Sequence, residues 1–235
     1  MTTKTSAPRR AAMVTGALFF LALALNLIAS ALCDPILDAP NYLELTYPHR
    51  STIVVGSLLN MVCAVAMAFI PLALFPVTSR HDRSRAVAYT VFRSIEGLLF
   101  LYLVIGTLSF IGLGEAHGGA PDPVTQAMGR QLKAEMHWAT LVYVAVFVMG
   151  AATFYPMLYR SRLVPRFLSV WGMVATGVML VAVLMGLFGV GIFGTASLMK
   201  AMAYFAPPIA LNELVLSGWL VFKGFDPAAL RTRAS

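Results

Sequence analysis

The sequence predicts an all-α, polytopic membrane protein: one domain over residues 1–235, six transmembrane helices, and both termini in the cytoplasm. Three observations predict it. Hydrophobic residues make up 59% of the chain against 11% charged, with mean hydropathy +0.80, which excludes a water-soluble domain. Stretches free of Asp, Glu, Lys and Arg recur at about the 20 helical residues needed to cross roughly 30 Å of hydrocarbon. The segments between them alternate between many basic residues and few, the pattern that orients a chain with its basic loops inside.

Four windows qualify without any charge: residues 11–33, 51–79, 136–159 and 167–199. Two more, 86–114 and 201–222, are long enough only if Arg93 and Glu96 in one and Glu213 in the other lie inside the membrane. The expected spans are therefore about 11–33, 52–76, 86–113, 136–158, 168–193 and 201–222.

Span one follows Arg9 and Arg10 and ends near Ala29-Ser30-Ala31, an imitation of a signal-peptide cleavage site. Its uncharged run exceeds the usual apolar core of about 7–15 residues in a signal peptide, so the span is expected to be retained. Asn26, in its outer third, is expected to make an interhelical hydrogen bond. Cys33 closes span one at the outer surface, whereas Cys63 lies twelve residues past Ser51 in span two, roughly 18 Å deep. That separation predicts two free thiols packed as small apolar groups.

In the first outer loop, Pro35 and Pro40 are expected to forbid a continued helix, with the segment ordered against the bundle. Phe69-Ile70-Pro71-Leu72 in span two resembles Phe154-Tyr155-Pro156-Met157 in span four. An inverted repeat of three spans would pair span two with span five, so the match is read as two helix ends terminated alike. In the second outer loop Asp122-Pro123 is an N-cap followed by proline at the first helical position, so a helix should restart there. If it runs unbroken into span four, its first twelve residues extend about 18 Å before the membrane or lie along its surface, and the two outer loops could cover an outward-facing cavity.

Residues 159–168, before span five, mix basic and apolar side chains and read as a short interfacial lead-in. Span five carries Gly172, Gly177, Gly186, Gly189, Gly191 and Gly194, small positions for close helix packing. In span six, Pro207 and Pro208 are expected to free the carbonyls of Ala203 and Tyr204.

The formal charge of +7 would raise the question of nucleic acid in a soluble chain; here it is distributed by topology. Twelve basic and two acidic residues fall inside, four basic and six acidic outside, and Arg93 with Glu96 and Glu213 leaves −1 in the membrane. Arg93 and Glu96 lie about 12 and 16 Å in from Arg85, Glu213 about 15 Å in from Lys223, and Asn60 roughly 14 Å from the outer face, so all four reach the midplane. Tyr89, Arg93, Glu96 and Phe100 share one face of span three, as Glu213 and Ser217 do on span six. Intramembrane charge costs roughly 2.5–3.5 kcal/mol per residue on insertion scales and persists where it is paired or used. One Arg against two Glu means that the cluster holds net −1 or keeps one carboxyl protonated. Such a site suits a small-molecule or cation ligand; its bland alternative is a clamp by which Arg93 fixes the register of spans three and six.

Other chemistry is weaker. His49, His117, Glu135 and His137 lie on the outer side, but Glu135 and His137 point to different helix faces, so no metal is expected. No histidine pair is placed for haem, and no phosphate loop, zinc-protease helix or serine elbow is present, so no cofactor is expected.

Five segments carry a resemblance: Pro35-Ile36-Leu37-Asp38-Ala39-Pro40-Asn41-Tyr42-Leu43, Phe92-Arg93-Ser94-Ile95-Glu96, residues 159–172, Pro208-Ile209-Ala210-Leu211-Asn212-Glu213, and Trp219-Leu220-Val221-Phe222-Lys223-Gly224-Phe225. Together they make the chain resemble the bacterial membrane family called domain of unknown function 4386, nearly end to end. The resemblance implies a multi-pass protein of the bacterial cytoplasmic membrane and supplies no activity. An acidic residue often stands in that family where this chain has Asn60. Three functions stay open: a carrier whose site is the Arg93, Glu96, Glu213 and Asn60 pocket, a structural or accessory membrane protein, and a membrane-embedded enzyme. The missing inverted repeat counts against the first, and the missing catalytic constellation against the third.

Overall fold

In the computed structural model, which describes residues 7–115, 121–190 and 204–231, all regular structure is helical. The elements are α1 (Ala7–Leu37), α2 (Tyr42–Thr46), α3 (Arg50–Thr78), α4 (Arg83–Glu115), α5 (Pro123–Ser161), α6 (Arg166–Leu187), α7 (Pro207–Phe222) and α8 (Pro227–Arg231). Five of these, α1 and α3 to α6, are long and apolar enough to cross a membrane. Their outer faces carry large apolar side chains such as Leu27, Leu98, Ile105 and Val174, while small residues such as Ala12, Ala29, Ala64 and Ala175 are buried. Large apolar side chains are thus exposed as well as buried, which suits lipid, where helices associate by close packing rather than by hiding apolar surface from water.

Each long helix packs against the next, and α7 packs against both α6 and α1, so the six close into a ring. One end of the ring gathers the start of α1, the α3–α4 and α5–α6 turns, the end of α7 and α8, and is rich in arginine. The ring is tied shut there by Arg9, whose guanidinium donates to the carbonyls of Leu220 (3.2 Å), Val221 (2.8 Å) and Phe222 (3.2 Å). These are the carbonyls that the last turn of α7 leaves without an intrahelical partner. Gly224, at φ +78, turns the chain away just beyond, and a Cβ there would meet the Arg9 guanidinium. Arg9→Ala is expected to cost about 1–3 kcal/mol, read as a lower thermal unfolding midpoint with unchanged helical content.

Several local expectations hold. Asp122 caps α5 by accepting from Thr125 N at 2.8 Å with Pro123 in the first turn, and α5 runs unbroken to Ser161. Both cysteines are free and buried, and they sit at different levels of α1: Cys63 donates to the carbonyl of Ala22, whereas Cys33 packs beside Ile53 and Gly56. Asn26 Nδ2 donates across the α1–α3 seam to Asn60 Oδ1 at 3.5 Å. The segment between α1 and α3 packs against the bundle. Tyr42 lies edge-on to Phe110, and Lys133 Nζ donates to the last carbonyl of α1, Leu37, at 2.7 Å while lying 3.6 Å from the Tyr42 ring centroid.

Other expectations need correction, most of them at proline. α1 passes through Pro35 to Leu37, and Asp38 N still donates to Asp34 O at 2.9 Å. Pro71 and Pro156 lie inside α3 and α5, which continue to Thr78 and Ser161, so the matched motifs are not helix ends. A proline deletes one backbone donor, and in a packed bundle the loss of that single bond does not end the helix. Pro207 and Pro208 open α7 directly after the helical residues Tyr204 and Phe205 and a bend at Ala206, so the prolines stand at a break in helical structure.

Residues 162–165 form a tight turn between α5 and α6, with Leu163 and Val164 buried. Expected span five, 168–193, closes as helix at Leu187, and in expected span six, 201–222, the described residues Tyr204 and Phe205 are helical before a bend at Ala206 and α7 follows from Pro207; at sixteen residues α7 is about 24 Å long. Residues 191–203, with Gly191, Gly194 and Ala203, lie outside the described residues, as does His117. Of the span-five glycines, Gly172 makes a close approach, whereas a Cβ at Gly177 or Gly189 would meet nothing within 4 Å.

Candidate functional site

The α4 face foreseen from helical spacing is turned wholly into the bundle: Tyr89, Arg93, Glu96 and Phe100 are all buried. Four residues along the helix from Arg93, Gly97 lets α4 settle on α3, where its missing Cβ would lie 3.1 Å from the Ala64 carbonyl. This close approach seals the side of the site facing α3.

Within the site, Arg93 Nη1 donates to both Glu96 oxygens at 2.9 Å. The pair lies on one helix, three residues apart, with side chains only 6% and 1% exposed. An ion pair this deep is held by mutual neutralisation, since either charge alone would face a large desolvation cost. The Arg93 guanidinium carbon also lies 5.8 Å from the centroid of the Phe19 ring of α1, a cation–π contact, and its Nε is buried with no hydrogen-bond partner among the described residues.

Glu213 of α7 completes the cluster differently. It interacts electrostatically with Arg93, Glu96, Tyr89, Cys63, Tyr143 and Tyr155. Among the described residues it has no hydrogen bond and no ion pair. The carboxylate thus sits near Arg93 without closing on it. Asn60, the fourth residue expected in the pocket, is engaged with Asn26 instead, one turn along α3 from Ala64. The structure brings Arg93, Glu96 and Glu213 together and gives Asn60 a role at the α1–α3 seam.

The aromatic surround was only partly visible in sequence. Tyr89 stacks on Phe154 (centroids 4.4 Å apart, planes 11°), which also contacts Phe19 and Tyr155, and Phe100 packs against Tyr143 at 5.4 Å. Phe19, Tyr143, Phe154, Tyr155 and Cys63 were not assigned to the site because aromatic and thiol side chains are ordinary in an apolar run. The available signal was the phenol: a tyrosine deep inside a span brings a hydroxyl that needs a polar neighbour.

Two cavities among the described residues open at the arginine-rich end, and neither is lined by Arg93, Glu96, Glu213 or Asn60. At the opposite end, Glu135 accepts a hydrogen bond from the Tyr102 hydroxyl and the His137 ring stands edge-on to Trp138. No group of three or more possible metal ligands occurs among the described residues.

No curated protein and no solved structure matches the chain. A family model does, over residues 14–224, a stretch that includes α3, α4 and α7 with all three charged members of the cluster. The chain therefore belongs to the family described as Domain of unknown function (DUF4386).

Proposed function

We propose that the chain is a six-span protein of the bacterial cytoplasmic membrane, with both termini inside, that takes up a proton or a small cationic or hydroxylated ligand at Glu213. The observation that carries this reading is the pairing inside the cluster. Arg93 is engaged by Glu96 of its own helix, and Glu213 is left without a direct partner among the described residues. Such a carboxylate can bind a proton or cation while the neutral Arg93–Glu96 pair fixes the surrounding field. A clamp between α4 and α7 would need Arg93 to bridge the two helices, and an ion pair internal to α4 sets no register. The six spans follow from the five long helices together with α7, and the inside orientation from the arginine-rich end.

The test is Glu213→Gln in purified protein. Native mass spectrometry for a retained small molecule, and tryptophan fluorescence titrated across the neutral pH range, are expected to show a bound species or a pH response that the variant loses at unchanged helical content. Failed membrane insertion of the variant would make Glu213 a structural group and end the proposal. A second reading, a structural or accessory protein, is favoured by the Arg93–Glu96 pair, which neutralises itself within α4 and needs no ligand. It predicts that Glu213→Gln alters neither readout.

A further inference from the structure

The arginine-rich end holds a cavity of about 640 Å³ whose walls come from the α3–α4 turn, the end of α5 and the start of α8. Three arginines line it: Arg85, Arg160 and Arg162. Retention of basic loops on one side of a membrane explains their presence at this end but does not require them around one concavity, and Arg80, Arg83 and Arg166 at the same end are not among the lining residues. The acidic side chains of the cavity are already committed. Asp82 accepts from the Arg85 backbone N at 3.0 Å and from its Nη1 at 2.9 Å, and Asp226 Oδ1 accepts from Ala228 N at 2.8 Å. Arg160 and Arg162 are exposed and have no carboxylate within 4.0 Å among the described residues.

Arg162 adds a second, independent observation. It terminates α5 with φ 54 and ψ 23, the left-handed position that helices ordinarily give to glycine, and among described non-glycine residues it is the one with positive φ. Arg162 lines both this cavity and a neighbouring one of about 400 Å³. The left-handed turn that ends α5 thereby places Arg162 at the boundary of the two cavities.

We propose that this cavity binds a phosphoryl group, with Arg160 and Arg162 as the recognising cations and the Asp82–Arg85 pair as a preorganised flank. Guanidinium forks match phosphate oxygens in pairs, and a phosphate carries the charge that two uncompensated arginines favour. The volume exceeds that of a bare ion and leaves room for an organic substituent. The same chemistry is offered by a soluble phosphomonoester and by the headgroup of an anionic phospholipid.

The experiment uses the full chain. In neutral detergent without anionic lipid, inorganic phosphate and glycerol phosphate are titrated calorimetrically at an ionic strength held constant with chloride. In parallel, native mass spectrometry is run on protein released from nanodiscs of equal parts phosphatidylcholine and phosphatidylglycerol. Saturable binding of either phosphate in detergent supports the proposal with a soluble ligand; selective retention of phosphatidylglycerol supports it with a lipid headgroup. In either case Arg160→Gln combined with Arg162→Gly is expected to weaken binding by about tenfold or more. Glycine suits the left-handed backbone at 162, so the variant should unfold no earlier than Arg160→Gln alone, which separates lost binding from lost fold. Absence of both signals, or binding that persists undiminished in the double variant, overturns the proposal.

Discussion

Arg93→Met is expected to be among the most destabilising single substitutions in the chain, by roughly 3–5 kcal/mol, because it leaves the Glu96 carboxylate, 1% exposed, without its counter-charge. The companion variant decides what the pair is for. If Arg93 and Glu96 only neutralise each other, replacing both by Met removes the buried charges together and should recover most of the loss, since buried pairs are frequently replaceable by apolar residues of similar volume. Thermal unfolding midpoints in one detergent, with helical content as the control, provide the comparison. A double variant as unstable as the single one would show that Arg93 has a further partner whose loss Glu96→Met cannot offset, and Glu213 is the group placed to be that partner.

The second large effect is steric. Gly172 of α6 lies against Tyr155 of α5 so closely that a Cβ at that position would fall on the phenol ring, and both residues are buried. Gly172→Ala is expected to cost about 1–3 kcal/mol, the usual range for overfilling a packed core, and Gly172→Leu more, because the α5–α6 seam must open. Shrinking the other side, as Tyr155→Leu with Gly172→Ala, should return part of the loss, so the two changes combine non-additively. Gly177, five residues further along the same helix, is the control. A Cβ there meets nothing within 4 Å, and Gly177→Ala should be neutral or stabilising by up to about 1 kcal/mol through the helix preference of alanine.

What the sequence made legible was whatever depends on local rules or on one helical period. The long spans, the Asp122-Pro123 start of α5 and the shared buried face of Tyr89, Arg93, Glu96 and Phe100 all follow from spacing along one element. The separate levels of Cys33 and Cys63 follow from the rise of a helix. What resisted reading depends on which neighbour arrives. Arg93 could reach Glu96 or Glu213 on spacing grounds, and side-chain geometry gave it to Glu96. Asn60 shared a depth with the cluster but turned to Asn26. Pro35, Pro71 and Pro156 were read as breaks because proline breaks isolated helices, yet here one lost backbone bond is a small term against the packing of a long helix. Arg160 and Arg162 were read only as part of an interfacial lead-in, since the cavity they line exists only once the α3–α4 turn and α8 come together.

The closure of the ring by α7 has a consequence for biogenesis. The Arg93–Glu96 pair is internal to α4, so it can form as soon as that helix winds, and α4 can enter a bilayer already neutralised by its own side chains. Glu213 has no such companion on α7, the last of the six ring-forming helices to be synthesised. By the time it emerges from the ribosome, α1 and α6 can stand as two walls of an unfinished ring, with Arg9 available to receive the end of α7. The carboxylate then has a protein wall on each side of its helix. The order of synthesis thus separates two acidic residues that look equivalent by depth: one travels with its own counter-charge, and the other relies on a site assembled before it.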